Sequence, residues 1–421
     1  MEQAQQRNPW WWVPSLYFGQ GIPYFAVMAL STTMYKNTGI SNTDIAFYTS
    51  WLYLPWIIKP LWSPIVEMFG TKRAWVVVLQ MVIAASLAAV AFTTPLPHFF
   101  QLSLAAMWLI AFSSATHDIA ADGFYMLGMR PKDQAAYVGV RSTFYRVANV
   151  ACNGGLTYIA GELIKHSGNP HLAWGIVFGI MAGVFGLLAF YHLFMLPKPA
   201  VDRKTATSSN PFKEFFDTFG AFFRKDGIVV ILLFLLTFRL GESQLLKMAV
   251  PFLLDPADKG GLGLDTSDLG IAYGTIGVIS LTVGGLLGGW VISRYGLKRC
   301  LWPMAFATHL PDLVFVYLSH AMPQNFALIS AAIGIEQFGY GFGFASYLMF
   351  MIMVAEGAHK TAHYAICTGF MALGMMVPQM ASGAIQEYLG YPHFFIWACT
   401  ATIPAFIMTA LIKVDPAFGR E

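Results

Sequence analysis

The sequence predicts an all-α membrane protein whose twelve transmembrane helices form two pseudo-symmetric six-helix bundles. Three observations carry that expectation. The 421 residues are 57% apolar and only 11% charged, with a mean hydropathy of +0.57, whereas a soluble domain needs about 25% charged residues to cover its surface. Apolar runs long enough to cross a hydrocarbon core, which takes roughly 20 residues of helix, recur along the whole chain. Two short polar signatures of the first half also return in the second. The net charge of +3 is too small for a nucleic-acid footprint. Cys152, Cys300, Cys367 and Cys399 lie in or beside apolar runs with no C-x-x-C pair, so neither a disulfide framework nor a metal site is expected.

The chain opens with a polar stretch, Met1 to Asn8, followed by an apolar run broken by Pro14, Gln20 and Pro23. That run exceeds the compact core of about 7–15 residues found in a cleavable signal, so it is expected to stay as the first membrane helix, with Trp10, Trp11 and Trp12 at the interface. The predicted spans are 10–35, 43–67, 73–94, 98–128, 134–163, 170–196, 226–254, 266–293, 299–320, 324–356, 360–387 and 391–413. An even number of crossings puts both termini on one side. The segments on that side carry 17 basic residues and the opposite segments only three, Lys36, Lys165 and Lys259. Positive residues accumulate in the cytoplasm, so both termini are expected there.

One long polar connection, 197–225, rich in Pro, Ser, Thr and basic residues, separates the expected bundles 1–196 and 226–421. Gly39-Ile40-Ser41-Asn42-Thr43-Asp44 before the second span recurs as Gly263-Leu264-Asp265-Thr266-Ser267-Asp268 before the eighth. Phe69-Gly70-Thr71-Lys72-Arg73 after the second recurs as Tyr295-Gly296-Leu297-Lys298-Arg299 after the eighth. The offsets, 224 and 226, nearly agree and point to a duplicated six-helix unit.

Ten charges fall well inside spans: Lys59, Arg141, Arg146, Arg239, Lys247, Asp118, Asp122, Glu242, Asp312 and Glu336. Each would cost about 2.5–3.5 kcal/mol at a lipid-facing helix centre, so they must face one another or a watery cavity. Asp118, Asp122 and Tyr125 share one face of the fourth helix. Ser142, Arg146, Asn149 and Asn153 form a stripe on the fifth. At about 1.5 Å per residue, Asp122 and Arg141 sit at one depth, roughly 9–10 Å above their connecting turn, and Asp118 and Arg146 at another, roughly 15–18 Å. Depth therefore pairs Asp122 with Arg141, as a gate or structural ion pair, and Asp118 with Arg146. Arg239 and Glu242, three apart, can pair locally. Glu336 has no basic residue on its own helix, which suits a proton carrier; neutralisation by Lys247 or Arg239 is the competing reading. Asp312, with His309 on its face, is the rival carrier. Gln20 and Tyr24, one helical step apart amid glycines and Pro23, are candidate solute contacts, and Tyr125 and Tyr145 offer aromatic faces for sugar stacking.

Phe18-Gly19-Gln20-Gly21-Ile22-Pro23-Tyr24, Lys59-Pro60-Leu61-Trp62-Ser63-Pro64 and His117-Asp118-Ile119-Ala120-Ala121-Asp122 resemble the AmpG-type muropeptide permeases and their acetyl-coenzyme-A transporter relatives. The basic turn at Lys72-Arg73 resembles the loop signature of the major facilitator superfamily, with Glu67 near a position usually held by Asp and with Arg73 as its expected ion-pair partner. This chain departs from the family in having His117 where Gln is usual. The resemblance implies a proton-coupled symporter, working by alternating access in the bacterial cytoplasmic membrane, that imports a muropeptide fragment or an oligosaccharide. Because the buried charges concentrate on helices one, four, five, seven and ten, a cavity between the halves is expected, lined from those helices, with Gln20, Tyr24, Asp118, Tyr125, Tyr145, Arg146, Asn149, Asn153, Arg239 and Glu242 as candidate solute contacts. The partners are then a small glycan-type solute, protons and lipid, with no cofactor, metal or nucleic acid, and a monomer is expected. An acetyl-coenzyme-A-like or other anionic carrier is the alternative, although a deep charge sum of zero suits three phosphates poorly. A polytopic enzyme or sensor is the alternative of another class; G-x-x-x-x-G-K-[ST], H-E-x-x-H and G-x-S-x-G are all missing from the sequence.

Overall fold

A computed structural model describes residues 7–129, 131–199, 202, 217, 219–357, 360–416 and 418–419. No strand occurs among the described residues, as a membrane interior requires of a chain that must satisfy its backbone within each segment. Among the described residues, eight helical stretches are long and apolar enough to cross a bilayer: Lys72–Thr93, Phe99–Gly128, Pro170–Met195, Ile228–Leu254, Thr266–Tyr295, Leu297–Ala321, Phe326–Ala355 and Ala362–Leu411. The last of these covers two of the runs read from sequence. Gly390, at φ 71° and ψ 161°, breaks it at the expected boundary.

The helices are α1 (Val13–Phe25), α2 (Ser31–Asn37), α3 (Asn42–Trp51), α4 (Leu54–Ile58), α5 (Ser63–Met68), α6 (Lys72–Thr93), α7 (Phe99–Gly128), α8 (Pro131–Asn149), α9 (Thr157–Ser167) and α10 (Pro170–Met195). They continue as α11 (Ile228–Thr237), α12 (Leu240–Leu254), α13 (Thr266–Leu269), α14 (Val278–Tyr295), α15 (Leu297–His309), α16 (Leu313–Ala321), α17 (Phe326–Ala355), α18 (Lys360–Thr400) and α19 (Ile403–Leu411). The second run, read as one span, is built in pieces. Pro55, Pro60 and Pro64 each remove a backbone donor, and the chain passes from α4 through a 3-10 turn, Lys59–Leu61, into α5. Wide π-helical turns interrupt three other runs, at Ala26–Leu30, Val150–Leu156 and Gly270–Gly277.

The chain separates into two compact units, Met1–Thr38 with Ile58–Pro211, and Gly39–Ile57 with Phe212–Glu421. The first half of the second run therefore belongs to the second unit, where α3 packs along α18. That packing needs Gly383, because a Cβ there would fall on the Asn42 carbonyl.

In the first unit α6 packs between α7 and α10, and α1 packs on α8. Gly21 permits the second contact; a Cβ would lie 2.7 Å from Ala148 Cβ and 3.3 Å from the Tyr145 carbonyl oxygen. Trp12, Leu16, Val76, Ala120 and Phe124 fill the core between these helices. A polar chain runs through the same interior across four helices. The Gln80 amide lies 3.1 Å from His117 Nε2 and 2.9 Å from His192 Nδ1, and Ser15 Oγ lies 2.9 Å from His192 Nε2. Gln80, His117 and His192 are fully buried. The Asp202 carboxylate accepts from the backbone N–H groups of Lys72 and Arg73 at 2.7 and 3.0 Å, capping α6. In the second unit α17 packs between α14 and α15, and α12 packs on α18.

Candidate functional site

Polar residues in the first unit gather where α1, α7, α8 and the turn leading into α5 meet. Asp122 on α7 pairs with Arg141 on α8 at 3.0 Å, and Tyr17 on α1 donates to the same carboxylate at 3.1 Å. The Arg141 guanidinium lies 4.6 Å from the ring centre of Tyr17 and 5.5 Å from that of Tyr125, so cation–π attraction supplements the ion pair. Tyr125 donates through its hydroxyl to the Gln134 carbonyl at 2.5 Å. The pairing read from helical depth is therefore present.

Asp118 differs from expectation. Its ion-pair partner is Lys59, at 3.5 Å, rather than Arg146. The depth ladder gives height along a helix but not the azimuth of its side chains. The break between α4 and α5 brings Lys59 to Asp118, while Arg146 stays half-buried on α8. Asp118 remains 14% exposed.

On α1, three residues beyond Tyr17, Gln20 is buried and its Oε1 has no hydrogen-bond partner. Tyr24 and Tyr145 both contact Phe25, with ring centres 5.2 and 5.4 Å away. Asn153 donates to Asn149 at 2.5 Å along the fifth run, so these two amides bind one another on a half-buried face. The Arg73 guanidinium donates to the Leu193 and Leu196 carbonyls at the end of α10, where a cation complements the helix dipole. The Glu67 side chain, its expected partner, lies outside the described residues.

The second unit holds a drier set. Arg239 grips Glu242 by two parallel bonds, Nε to Oε2 at 2.6 Å and Nη2 to Oε1 at 2.7 Å. The guanidinium lies 5.0 and 5.1 Å from the ring centres of Tyr340 and Phe344. Glu336 on α17 accepts from its neighbour Gln337 at 2.8 Å, and its Oε1 is buried without a partner. Both carboxylate oxygens of Asp312 are buried without a hydrogen bond, and His309 Nδ1 stands 4.0 Å away. Neither Arg239 nor Lys247 pairs with Glu336. Lys247 instead donates to the Thr49 hydroxyl on α3. Among the described residues no cluster of three or more His, Cys, Asp or Glu side chains could hold a metal ion.

Sequence reasoning missed Tyr17 and Thr49. Tyr17 was within reach, because Tyr17, Gln20 and Tyr24 step by three and four along one face of α1. Thr49 had no signal, since its role depends on α3 packing within the second unit.

Residues 15–358 match the family model of the Major Facilitator Superfamily. A Rickettsia conorii protein carrying the name transporter AmpG 4 is 25% identical over 410 residues, covering 92% of each chain. The anhydromuropeptide permease of Escherichia coli is 23% identical over 423 residues, covering 96% of this chain and 80% of the relative. Among solved structures, the nucleoside transporter NupG superposes with a TM-score of 0.71 at 15% identity, covering 96% of this chain and 98% of that one. A D-xylose-proton symporter superposes with a TM-score of 0.68 at 12% identity, covering 94% and 95%. The two structural likenesses establish the fold alone.

Proposed function

The chain belongs to the major facilitator superfamily and is a multi-pass secondary transporter, and from that premise we propose that it imports a sugar-containing solute, a muropeptide fragment or an oligosaccharide, in symport with protons. The observation that carries proton coupling is the state of Asp312 and Glu336: both are buried, and three of their four carboxylate oxygens have no hydrogen-bond donor. A carboxylate left in an apolar interior without a counter-charge is driven to take up a proton, and one that can alternate between apolar and watery surroundings can carry it. Glu336 is the first candidate and Asp312 its rival. The glycan class is supported by the name of the Escherichia coli relative and by Tyr17 and Tyr24, which flank Gln20 on α1, and Tyr125 beside Arg141. Gln20, Tyr24, Asp118, Tyr125, Tyr145, Arg146, Asn149, Asn153, Arg239 and Glu242 are the proposed solute contacts, with Asp118 also a proposed proton site.

The topology that goes with this proposal has twelve crossings in bundles 1–196 and 226–421, joined by 197–225, save that residues 39–57 of the second crossing pack with the later bundle, with both termini in the cytoplasm of a bacterium and the monomer as the working unit. The test is uptake by the purified protein in proteoliposomes. An N-acetylglucosaminyl-N-acetylmuramic acid disaccharide, labelled with tritium, should accumulate when the exterior is acid and stop when a protonophore collapses the gradient. Uptake that ignores the protonophore would refute symport; failure to take up this sugar or chitobiose would refute the glycan class.

A further inference from the structure

Lys247 lies near the middle of α12, with Ser243 one step before it and the Arg239–Glu242 pair on the turns before that. It is only 8% exposed. An ammonium has three donors and a full charge, yet the described structure gives this one a single acceptor, the neutral hydroxyl of Thr49. That hydroxyl is itself committed as a donor to the Ile45 carbonyl at 2.6 Å. The carboxylates of the second unit are engaged elsewhere or stand apart. Glu242 lies in the fork of Arg239, Asp255 accepts from Tyr391 at 2.6 Å, Glu387 accepts from Thr43, and Glu336 accepts from Gln337. No described carboxylate lies within 4.0 Å of the Lys247 nitrogen. Lys59, Arg141 and Arg239, the other deep cations with an acid partner, set the contrast.

A buried cation without a counter-ion destabilises the protein that holds it, so its retention calls for a partner that arrives from outside. We propose that Lys247 binds an anionic group of the transported solute, a carboxylate carried by the sugar, and so selects acidic over neutral glycans. This rests on the glycan reading above and names the chemical class within it. The spacing suits such a ligand. Arg239, which caps the start of α12, and Lys247 are eight residues apart, a rise of about 12 Å, which is of the order of a disaccharide's length. The Arg239–Glu242 fork would meet hydroxyl or amide groups at one end while Lys247 meets the acid at the other.

The inference makes two measurements move in opposite directions. Removing the lysine relieves an unpaired charge, so the empty full-length protein should melt higher as Lys247→Gln, by at least about 2 °C, whereas removal of a structural cation lowers the melting temperature. Binding should weaken. We would titrate wild type, Lys247→Gln and Lys247→Arg with the N-acetylglucosaminyl-N-acetylmuramic acid disaccharide, whose lactyl arm bears one carboxylate, and with its methyl ester and chitobiose. Wild type should prefer the acid to its ester by about tenfold or more, Lys247→Gln should lose that preference, and Lys247→Arg should keep most of it. Equal affinity of wild type for acid and ester, or preference retained in Lys247→Gln, would overturn the inference. A wild type that binds none of the three sugars refutes the glycan reading by itself; the melting temperature of Lys247→Gln then decides, a rise supporting an unpaired ligand-binding cation and a fall overturning it.

Discussion

Changing Glu242 to Gln leaves the Arg239 guanidinium charged and enclosed without its acid. The pair is 0% and 5% exposed, so solvent offers almost no compensation. Two charge-assisted bonds at 2.6 and 2.7 Å are lost or weakened. At about 1.5–3 kcal/mol each this amounts to about 3–6 kcal/mol, in line with the roughly 3–5 kcal/mol measured when one partner of a buried pair is removed. For a cooperative unit of about 150–250 residues, each kcal/mol moves the melting temperature by about 2–4 °C, so Glu242→Gln should lower it by about 6–24 °C in a mild detergent. The Met375 sulfur and the faces of Tyr340 and Phe344 leave an apolar lining that a neutral side chain can fill. The double change Arg239→Met with Glu242→Leu should therefore recover most of the loss. Melting followed by intrinsic fluorescence on both variants and each single change completes the cycle. If Glu242→Gln melts within about 2 °C of wild type, or the double variant is as unstable as the single one, the two residues do not form a dry ion pair. If the double variant is stable and transports normally, the pair has no part in solute binding.

Asp118→Asn should abolish accumulation against a gradient, leaving Lys59 without its acid; adding Lys59→Gln should restore yield and monodispersity more than transport, and normal uptake by the single variant would demote the pair to scaffolding. Glu336→Gln should keep solute exchange while losing proton-driven accumulation. Accumulation that survives there and disappears in Asp312→Asn would move coupling to Asp312, and loss in neither would remove both from the proton path. Gln80→Leu should lower the melting temperature clearly, because it strips hydrogen bonds from both His117 and His192 in a closed interior, and an unchanged melting curve would place water there.

The sequence was most informative where a single helix or a single connecting turn fixes geometry. Arg239 and Glu242 follow from spacing along one helix, and Asp122 with Arg141 follows from equal distance to the turn that joins α7 and α8. Asp118 shows the limit. Its height was legible, but its neighbour depends on prolines that break the second run and redirect Lys59. The chain from Ser15 through His192 and Gln80 to His117 was illegible for a related reason. It joins α1, α10, α6 and α7, and no periodicity within one helix indicates which polar residue of another will face it. The all-helical architecture needed only composition and run length, whereas the allegiance of residues 39–57 to the second unit required the packed structure.

The π-helical turns act as phase slips in their helices. An α-helix turns by about 100° per residue, whereas a π-turn takes up an additional residue with little change of rise. In Val150–Leu156 the slip falls directly after the stripe formed by Ser142, Arg146 and Asn149, so the bearing of that stripe is decoupled from the bearing of α9 beyond it. Deleting one residue inside this segment would convert it to regular helix and leave the side chains from Thr157 to Ser167 on nearly the same bearing, whereas the same deletion in the regular part of α8 would rotate everything beyond it by about 100°. At these places the chain can lose a residue without turning the face that follows, so a one-residue deletion is absorbed here and nowhere else along the same helix.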